Sequence, residues 1–380
     1  MTNLTDEKFS SLRDVLGLSK LCELDGNELS DVFKISEQAF GIKPAFLRFL
    51  ERLNSNDSSA VMVFYQTGED EKTLDLQKDD KVLSFVQETT ESNILQQSEC
   101  NVSCRDILFI IYHSCKTSFR QEVVSKMSNC NIAVPFLLLS PVNRDEITFL
   151  FSDLQRVRKE WVEEESFRNV IVTEHAFPTV AAMRIGEIGV SKSNVLNLII
   201  GSLQHEANSP KFLASSEDVF PSPWSCGTVE AVWSLPTKPI EIQDFSLCTA
   251  TCFLNLRGEM GTESTKLQET FLISFSSCVI IFIKISSYDE HYDSLVNDWS
   301  EKAHVILVVL SDKYNRGRVS SKILRKGDCL TVIIFERCSE MKIAREVSKQ
   351  IVLSLKENKQ IKTLKKEGRQ ICKNLSIHIE

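Results

Sequence analysis

The sequence predicts a doubly wound α/β domain lying behind a helical N-terminal region, and three observations predict it. Short apolar, β-branched runs recur after residue 170: "TVAAMRI", "TVEAVWSL", "CTATCFLNL", "CVIIFIKI", "HVILVVL" and "CLTVIIF". Amphipathic segments with helical spacing lie between most of them, such as "SKSNVLNLII", "TKLQETFLI", "DSLVNDWSEK" and "VSSKILRK". The runs are apolar on both faces, which suits strands covered by helices on either side. Strands alternating with helices in this way form a mostly parallel sheet with helices on both faces. Only the second and third runs have no helix between them, which predicts one antiparallel pair.

Residues 1–165 read as an all-α N-terminal region. "FSSLRDVLGLSKL" and "ELSDVFKIS" place apolar residues at three- and four-residue steps, the mark of helices with one buried face. "KPAFLRFLERLNSNDSS" predicts a helix opened by Pro44 and ended in a polar turn, followed by a charged surface loop over 66–81. Helical spacing resumes from Val102 through "CRDILFIIYHSC", "SFRQEVVSKMSNCNIAVPFLLL" and "EITFLFSDLQRVRKEWVEE", with Pro135 and Pro141 as punctuation. The α/β domain is expected over 170–338. Residues 339–380 predict a basic C-terminal helix with a break near Gly368. Its stretch 342–373 holds ten Lys or Arg against three Glu. Such a face is either solvated or set against an acidic partner.

The totals exclude several classes of function. At 380 residues the chain has room for about two to three domains. A formal net charge of −8 supplies no general pull toward nucleic acid or an anionic membrane. The longest apolar runs, such as "VIIFI", fall far short of the ~20 residues of a membrane span. The opening "MTNLTDEKFSSLRDVLG" lacks a basic region followed by an apolar core, so no secretory signal is expected. Twelve cysteines without such a signal are expected to remain thiols. The CxxxC pairs Cys100/Cys104 and Cys248/Cys252 lack the rest of a zinc set and read as buried free cysteines.

The chemistry concentrates at "RIGEIGVSKSN". Gly186, Lys192 and Ser193 stand at the offsets of a phosphate-binding loop, after a strand and at the head of a helix. Backbone amides from Glu187 through Ile188, Gly189, Val190 and Ser191 to Ser193 could curl round a phosphate, helped by the positive end of the helix dipole. Lys192 would reach the outer phosphates, and the Ser193 hydroxyl would ligate magnesium. Ser191 replaces the second glycine of the pattern at a cost of order ~1 kcal/mol, and Ile188 adds bulk where phosphates are expected. A second element follows the third run, "NLRG". Gly258 can offer its amide to a γ-phosphate, whereas Asn255 lacks the carboxylate that organises magnesium. Glu259 stands where a water-orienting glutamine would help hydrolysis. A third element ends the fifth run, with Asp312, Lys313 and Asn315. The last would donate where guanine recognition needs an acceptor. Each element alone could be an ordinary turn. In this order and at these strand ends, they predict an α/β P-loop G domain, with Mg2+ held through Ser193.

At this point the chain resembles a known family. "KMSNCNIAVPFLLLSP", "FLFSDLQRVRKEWV", "MRIGEIGVSKSNVLN", "GTVEAVWSLP" and "FLNLRGEMG" are similar to the interferon-induced very large GTPases and up-regulators of cell proliferation. The resemblance covers most of residues 10–300 and implies a G domain behind a helical region, with guanine nucleotide as ligand. It carries over Gly186, Lys192, Ser193 and Gly258, and makes Thr228 a candidate γ-phosphate sensor. Family members also show the serine and asparagine found here at 191 and 255. It further implies a larger protein in the cytoplasm, in some members also the nucleus, with functions of a C-terminal region not expected of this chain. The resulting expectation is a guanine-nucleotide switch or scaffold with weak or absent hydrolysis. The rival is a pseudo-GTPase interaction module, and a third reading is a GTPase completed by a G-domain homodimer.

Overall fold

The structure is a computed structural model. It describes five residues between 108 and 113, and then 115–141, 143–163, 166–204, 209–212, 225–236, 249–287, 290–311, 320–325, 329–336, 338–357 and 361–380. The helices expected over residues 1–107 lie outside the described residues. The chain divides into two compact units, one of Met1–Val123 with Ser222–Ser225, the other of Val124–Pro221 with Cys226–Glu380. Helix α1 (Thr117–Asn129) begins in the first. Everything below concerns the second unit.

Among the described residues, ten strands form one sheet in the order β10 (Ser320–Arg325), β11 (Leu330–Glu336), β9 (His304–Ser311), β8 (Cys278–Lys284), β5 (Thr179–Ile185), β7 (Thr251–Leu256), β6 (Val229–Ser234), β1 (Val134–Leu139), β2 (Ile147–Phe149) and β12 (His378–Ile379). Its centre is the expected one. Strands β5 (Thr179–Ile185), β7 (Thr251–Leu256), β8 (Cys278–Lys284), β9 (His304–Ser311) and β11 (Leu330–Glu336) are parallel. All five are almost wholly buried, as their apolar runs require. The expected antiparallel pair is β6 (Val229–Ser234) on β7. Strand β5 lies between β7 and β8, so the chain goes to opposite sides of it, which opens a crevice at the C-terminal ends of the strands.

Helices cover both faces. Helix α3 (Lys192–Gln204) follows β5 and packs beside α6 (Glu340–Glu357). Leu196, Ile199, Ile200 and Leu203 of α3 share one core with Ile343, Ala344, Val347 and Ile351 of α6 and with Val180, Ala182, Val232 and Phe253 of the sheet. On the opposite face α4 (Lys266–Phe275) brings Phe271 to 5.8 Å from Phe136, which lies 5.1 Å from Phe149. Helix α5 (Glu290–Ser300) lies against β9.

Several segments differ from the sequence expectation. "VPFLLL" is strand β1 (Val134–Leu139), antiparallel to both β6 and β2 (Ile147–Phe149). "FSDL" is the short helix α2 (Phe151–Leu154), and "RKEWVE" is strand β3 (Arg158–Glu163), paired with β4 (Ser166–Ile171) as a separate hairpin. The helix expected over this stretch fails because continuous apolar runs do not distinguish a buried strand from a buried helix. "SSKILR" is an antiparallel edge strand, β10 (Ser320–Arg325), and not a helix. The C-terminal stretch is not one helix either. It breaks after Glu357, makes a π-helical turn (Leu364–Gly368), continues as α7 (Arg369–Asn374) and ends in β12 (His378–Ile379) beside β2. Arg345, Lys356, Lys365, Lys366 and Lys373 are exposed, as a solvated face requires. Cys252 is a buried free thiol, as expected; Cys100, Cys104 and Cys248 lie outside the described residues.

The hairpin carries one costly group. Lys159 alternates inward with Trp161, is 7% exposed, and donates to the Ser128 carbonyl at 2.8 Å. Burial pulls its pKa down to about 8. The unfolded chain therefore holds this proton up to about pH 10.5, while the folded chain releases it from about 8 upward. Between those values the unfolded state binds more protons, so stability rises with pH. Denaturant melts from pH 7 to 10.5 should show the wild type gaining stability relative to Lys159→Met, by at most about 3 kcal/mol. A pH-independent difference would contradict the assignment.

Candidate functional site

The crevice at the end of β5 is built by a tight loop. Gly186 and Gly189 take φ of +61° and +71°, the left-handed region that side chains avoid. Between them Ile188 turns into the core, 3% exposed, among Val195, Leu196 and Phe335. The bulk expected beside phosphates instead anchors the loop in the core. Glu187 and Gly189 stay exposed, and Val190 packs at the core margin. The Ser191 carbonyl accepts the Val195 amide at 2.9 Å, and its hydroxyl accepts the Asn194 amide at 3.4 Å. Ser191 therefore opens α3 as an N-cap, a role that suits serine and not glycine alone.

Lys192 is 5% exposed and reaches across to the end of β7. Its Nζ donates to Asn255 Oδ1 at 2.7 Å and to the Leu256 carbonyl. Asn255 Nδ2 donates onward to Ser193 Oγ at 3.2 Å. The second sequence element is thus tied to the first. Beyond it, Arg184 Nε donates to the Gly258 carbonyl at 3.1 Å, and the Met260 amide donates to the Arg184 carbonyl at 2.8 Å. These contacts hold "NLRGEM" beside β5.

Thr228 sits just before β6, where its carbonyl accepts the Arg257 amide at 2.9 Å. Its Oγ1 is buried without a hydrogen-bond partner. Gly258 is required twice over. Its φ is +78°, and a Cβ there would lie 2.2 Å from Cys226 Sγ. The structure therefore gathers Gly186–Ser193, Thr228, Asn255 and Gly258 at one strand edge. Asp312, Lys313 and Asn315 lie outside the described residues.

Sequence reasoning missed three participants. Glu340, the first residue of α6, accepts the Ser191 amide on Oε1 at 2.9 Å, placing a carboxylate on a loop amide. Cys226 fills the space beside Gly258. Glu230 pairs with Arg257 at 3.2 Å, both nearly buried. Glu340 has no fixed offset from a motif, and although Cys226 and Glu230 flank Thr228 in "CGTVE", nothing in that local pattern marks their roles.

No cluster of three or more His, Cys, Asp or Glu side chains that could hold a metal lies among the described residues. A magnesium ion that arrives with phosphate needs fewer protein ligands, and hard oxygens suit it. The hydroxyl of Ser193 and the unpartnered Oγ1 of Thr228 fit that requirement.

Residues 102–380 match the family described as "Up-regulator of cell proliferation-like domain". The chain is 25% identical to mouse "Interferon-induced very large GTPase 1" over 236 residues, 58% of this chain and 9% of that one. It is 31% identical to mouse "Up-regulator of cell proliferation" over 202 residues, 52% of this chain and 21% of that protein. Human "Caspase recruitment domain-containing protein 6" is 26% identical over 219 residues, 56% of this chain and 20% of its own. The chain thus spans about a tenth to a fifth of these relatives. No solved structure matches it.

The glycine at 258 can be tested by stability alone. Gly258→Ala should lower the unfolding free energy by about 1–3 kcal/mol, the range for strained backbone. Adding Cys226→Ala should recover part of that loss. Unchanged melting of the single variant would contradict the close contact.

Proposed function

Because the chain belongs to the up-regulator of cell proliferation-like family, we propose that its α/β unit is a guanine-nucleotide-binding G domain with weak or absent hydrolysis. It acts as a switch or scaffold in the cytosol, in some settings also in the nucleus. Supporting the GTPase-like character of the domain are the family match and the likeness to a protein named as a GTPase. The single observation that carries the nucleotide reading is Lys192. It heads a helix after a loop with two inverted glycines, and reaches the end of the neighbouring strand.

The chain's own groups define what each would do. Amides from Glu187 to Ser193 and the N-terminus of α3 would bind a phosphate chain. Lys192 would neutralise the outer phosphates, Ser193 and Thr228 would meet magnesium, and Gly258 would offer an amide to the γ-phosphate. A magnesium ion held there would supply positive charge against the phosphate oxygens. Slow turnover follows from Asn255 and Glu259. The first is neutral, and the second places an anion where a water-orienting amide serves hydrolysis. Asp312, Lys313 and Asn315 are the proposed base-reading residues. The Asn315 side chain matches a carbonyl at the base 2-position better than an amino group.

One observation favours a rival reading, a pseudo-GTPase that binds protein partners and no nucleotide. Lys192 and the Ser191 amide already have oxygen partners within the chain, the second being Glu340. Two measurements separate the readings. Titration with GTP, GDP, XTP and ATP in magnesium should show binding that falls at least 10-fold in Lys192→Ala, and a melting temperature that ignores all four would establish the pseudo-GTPase. In Glu340→Ala the loop amide is released, so GDP should bind about 10-fold tighter, about 1.4 kcal/mol. Weaker binding there would mean that the carboxylate shapes the loop instead of competing for it.

A further inference from the structure

An asparagine at 255 leaves the phosphate site without the carboxylate that usually organises a magnesium ion, and the structure shows where a substitute stands. Lysine can only donate hydrogen bonds, so the atom of Asn255 that faces Lys192 must be its oxygen. The amide nitrogen consequently faces Ser193, at 3.2 Å from Oγ. On the side of Ser193, Asn255 thus presents a donor, which repels a cation and cannot accept from metal-bound water.

Glu230 lies directly opposite Asn255 in the β6–β7 register. Opposed residues leave a sheet on the same face, with Cβ atoms ~4.5–5.5 Å apart. Two contacts fix that face as the one covered by α3. The next pair along, Val232 and Phe253, is in the core shared with α3, and Arg257, two residues beyond Asn255, bonds Glu230 Oε1 at 3.2 Å. Glu230 is 8% exposed, and its Oε2 is buried with no hydrogen-bond partner. An open carboxylate oxygen in a buried place calls for an ion or a water. Nearby Thr228 Oγ1 and Ser193 Oγ are the other hard oxygens at this strand edge.

We propose that Glu230 supplies, from the neighbouring strand, the negative charge that holds magnesium and its water in this site. Arg257 clamps one carboxylate oxygen and leaves the other for the metal shell. The proposal rests on the nucleotide reading above, and its test separates the two. A fluorescent GDP analogue is titrated onto the full chain, first in EDTA and then across Mg2+ concentrations.

Glu230→Gln should bind the analogue in EDTA as the wild type does, while its half-saturating Mg2+ rises about 10–100-fold. Moving the charge back, in Glu230→Gln/Asn255→Asp, should return that concentration toward the wild-type value, which a merely structural ion pair with Arg257 would not do. An unchanged Mg2+ requirement in Glu230→Gln, with binding abolished by Lys192→Ala, overturns this proposal and leaves the nucleotide reading standing. Binding that ignores Lys192→Ala, or a wild type that binds no nucleotide, removes both. Should Glu230→Gln fail to fold, Asn255→Asp alone decides. A Mg2+ requirement within about threefold of wild type is expected if Glu230 already provides the charge, and a drop of 10-fold or more overturns the proposal.

Discussion

A buried ammonium must find oxygen, and much of this domain is arranged around that requirement. Lys192 is 5% exposed at the head of α3, far from the bulk water that would otherwise solvate it. Its acceptors come from the end of β7, the Asn255 side chain and the Leu256 carbonyl. Helix α3 and strand β7 are therefore held together by charge as well as by the apolar core to which Leu196 and Phe253 both belong. The same lysine fixes which end of the Asn255 amide faces Ser193. One positive charge thus sets the polarity of the whole strand edge.

The centre of the sheet was legible in the sequence because its strands are buried on both faces. "CVIIFIKI" and "HVILVVL" have no polar side to obscure, and the lack of a helical spacing pattern between "TVEAVWSL" and "CTATCFLNL" announced the antiparallel pairing of β6 with β7. The edges were not legible. "VPFLLL" follows helix α1 directly and is as apolar as a buried helix, while "SSKILR" alternates too weakly to betray β10. The glycine-lysine loop after β5 could be placed because its residues sit at fixed spacing between a strand and a helix. Ile188 could not, since whether it faces ligand or core depends on the φ of its neighbouring glycines. Glu340 stands 149 positions from Ser191, and Glu230 meets Asn255 only through strand register. Long-range partners of this kind leave no mark in a single sequence.

Departures from ordinary backbone geometry gather at the same edge, as they do where a fold trades stability for chemistry. Three glycines with left-handed backbone, at 186, 189 and 258, stand within it. Two buried oxygens there, Thr228 Oγ1 and Glu230 Oε2, have no hydrogen-bond partner. Elsewhere the same unit spends its glutamates conventionally. Glu269 takes the Gly261 amide at 2.7 Å and the Thr265 hydroxyl at 2.6 Å, and Glu367 takes the amide and hydroxyl of Thr363.

Strand β6 is an interior strand. Val229 is matched to Leu256 on one side and to Leu137 on the other, and β1, β2 and β12 continue the sheet beyond it. A threonine at the mouth of such a strand is mounted on a beam supported along both flanks. The strand that carries it cannot swing outward without tearing rungs from two ladders, each a backbone bond that would need water or another partner in compensation. Displacement at Thr228 would be shared among neighbouring strands and kept small, and the backbone of β6 is closed to an added strand from outside. The mechanical character of this edge is that of a stiff clamp set in the plane of the sheet.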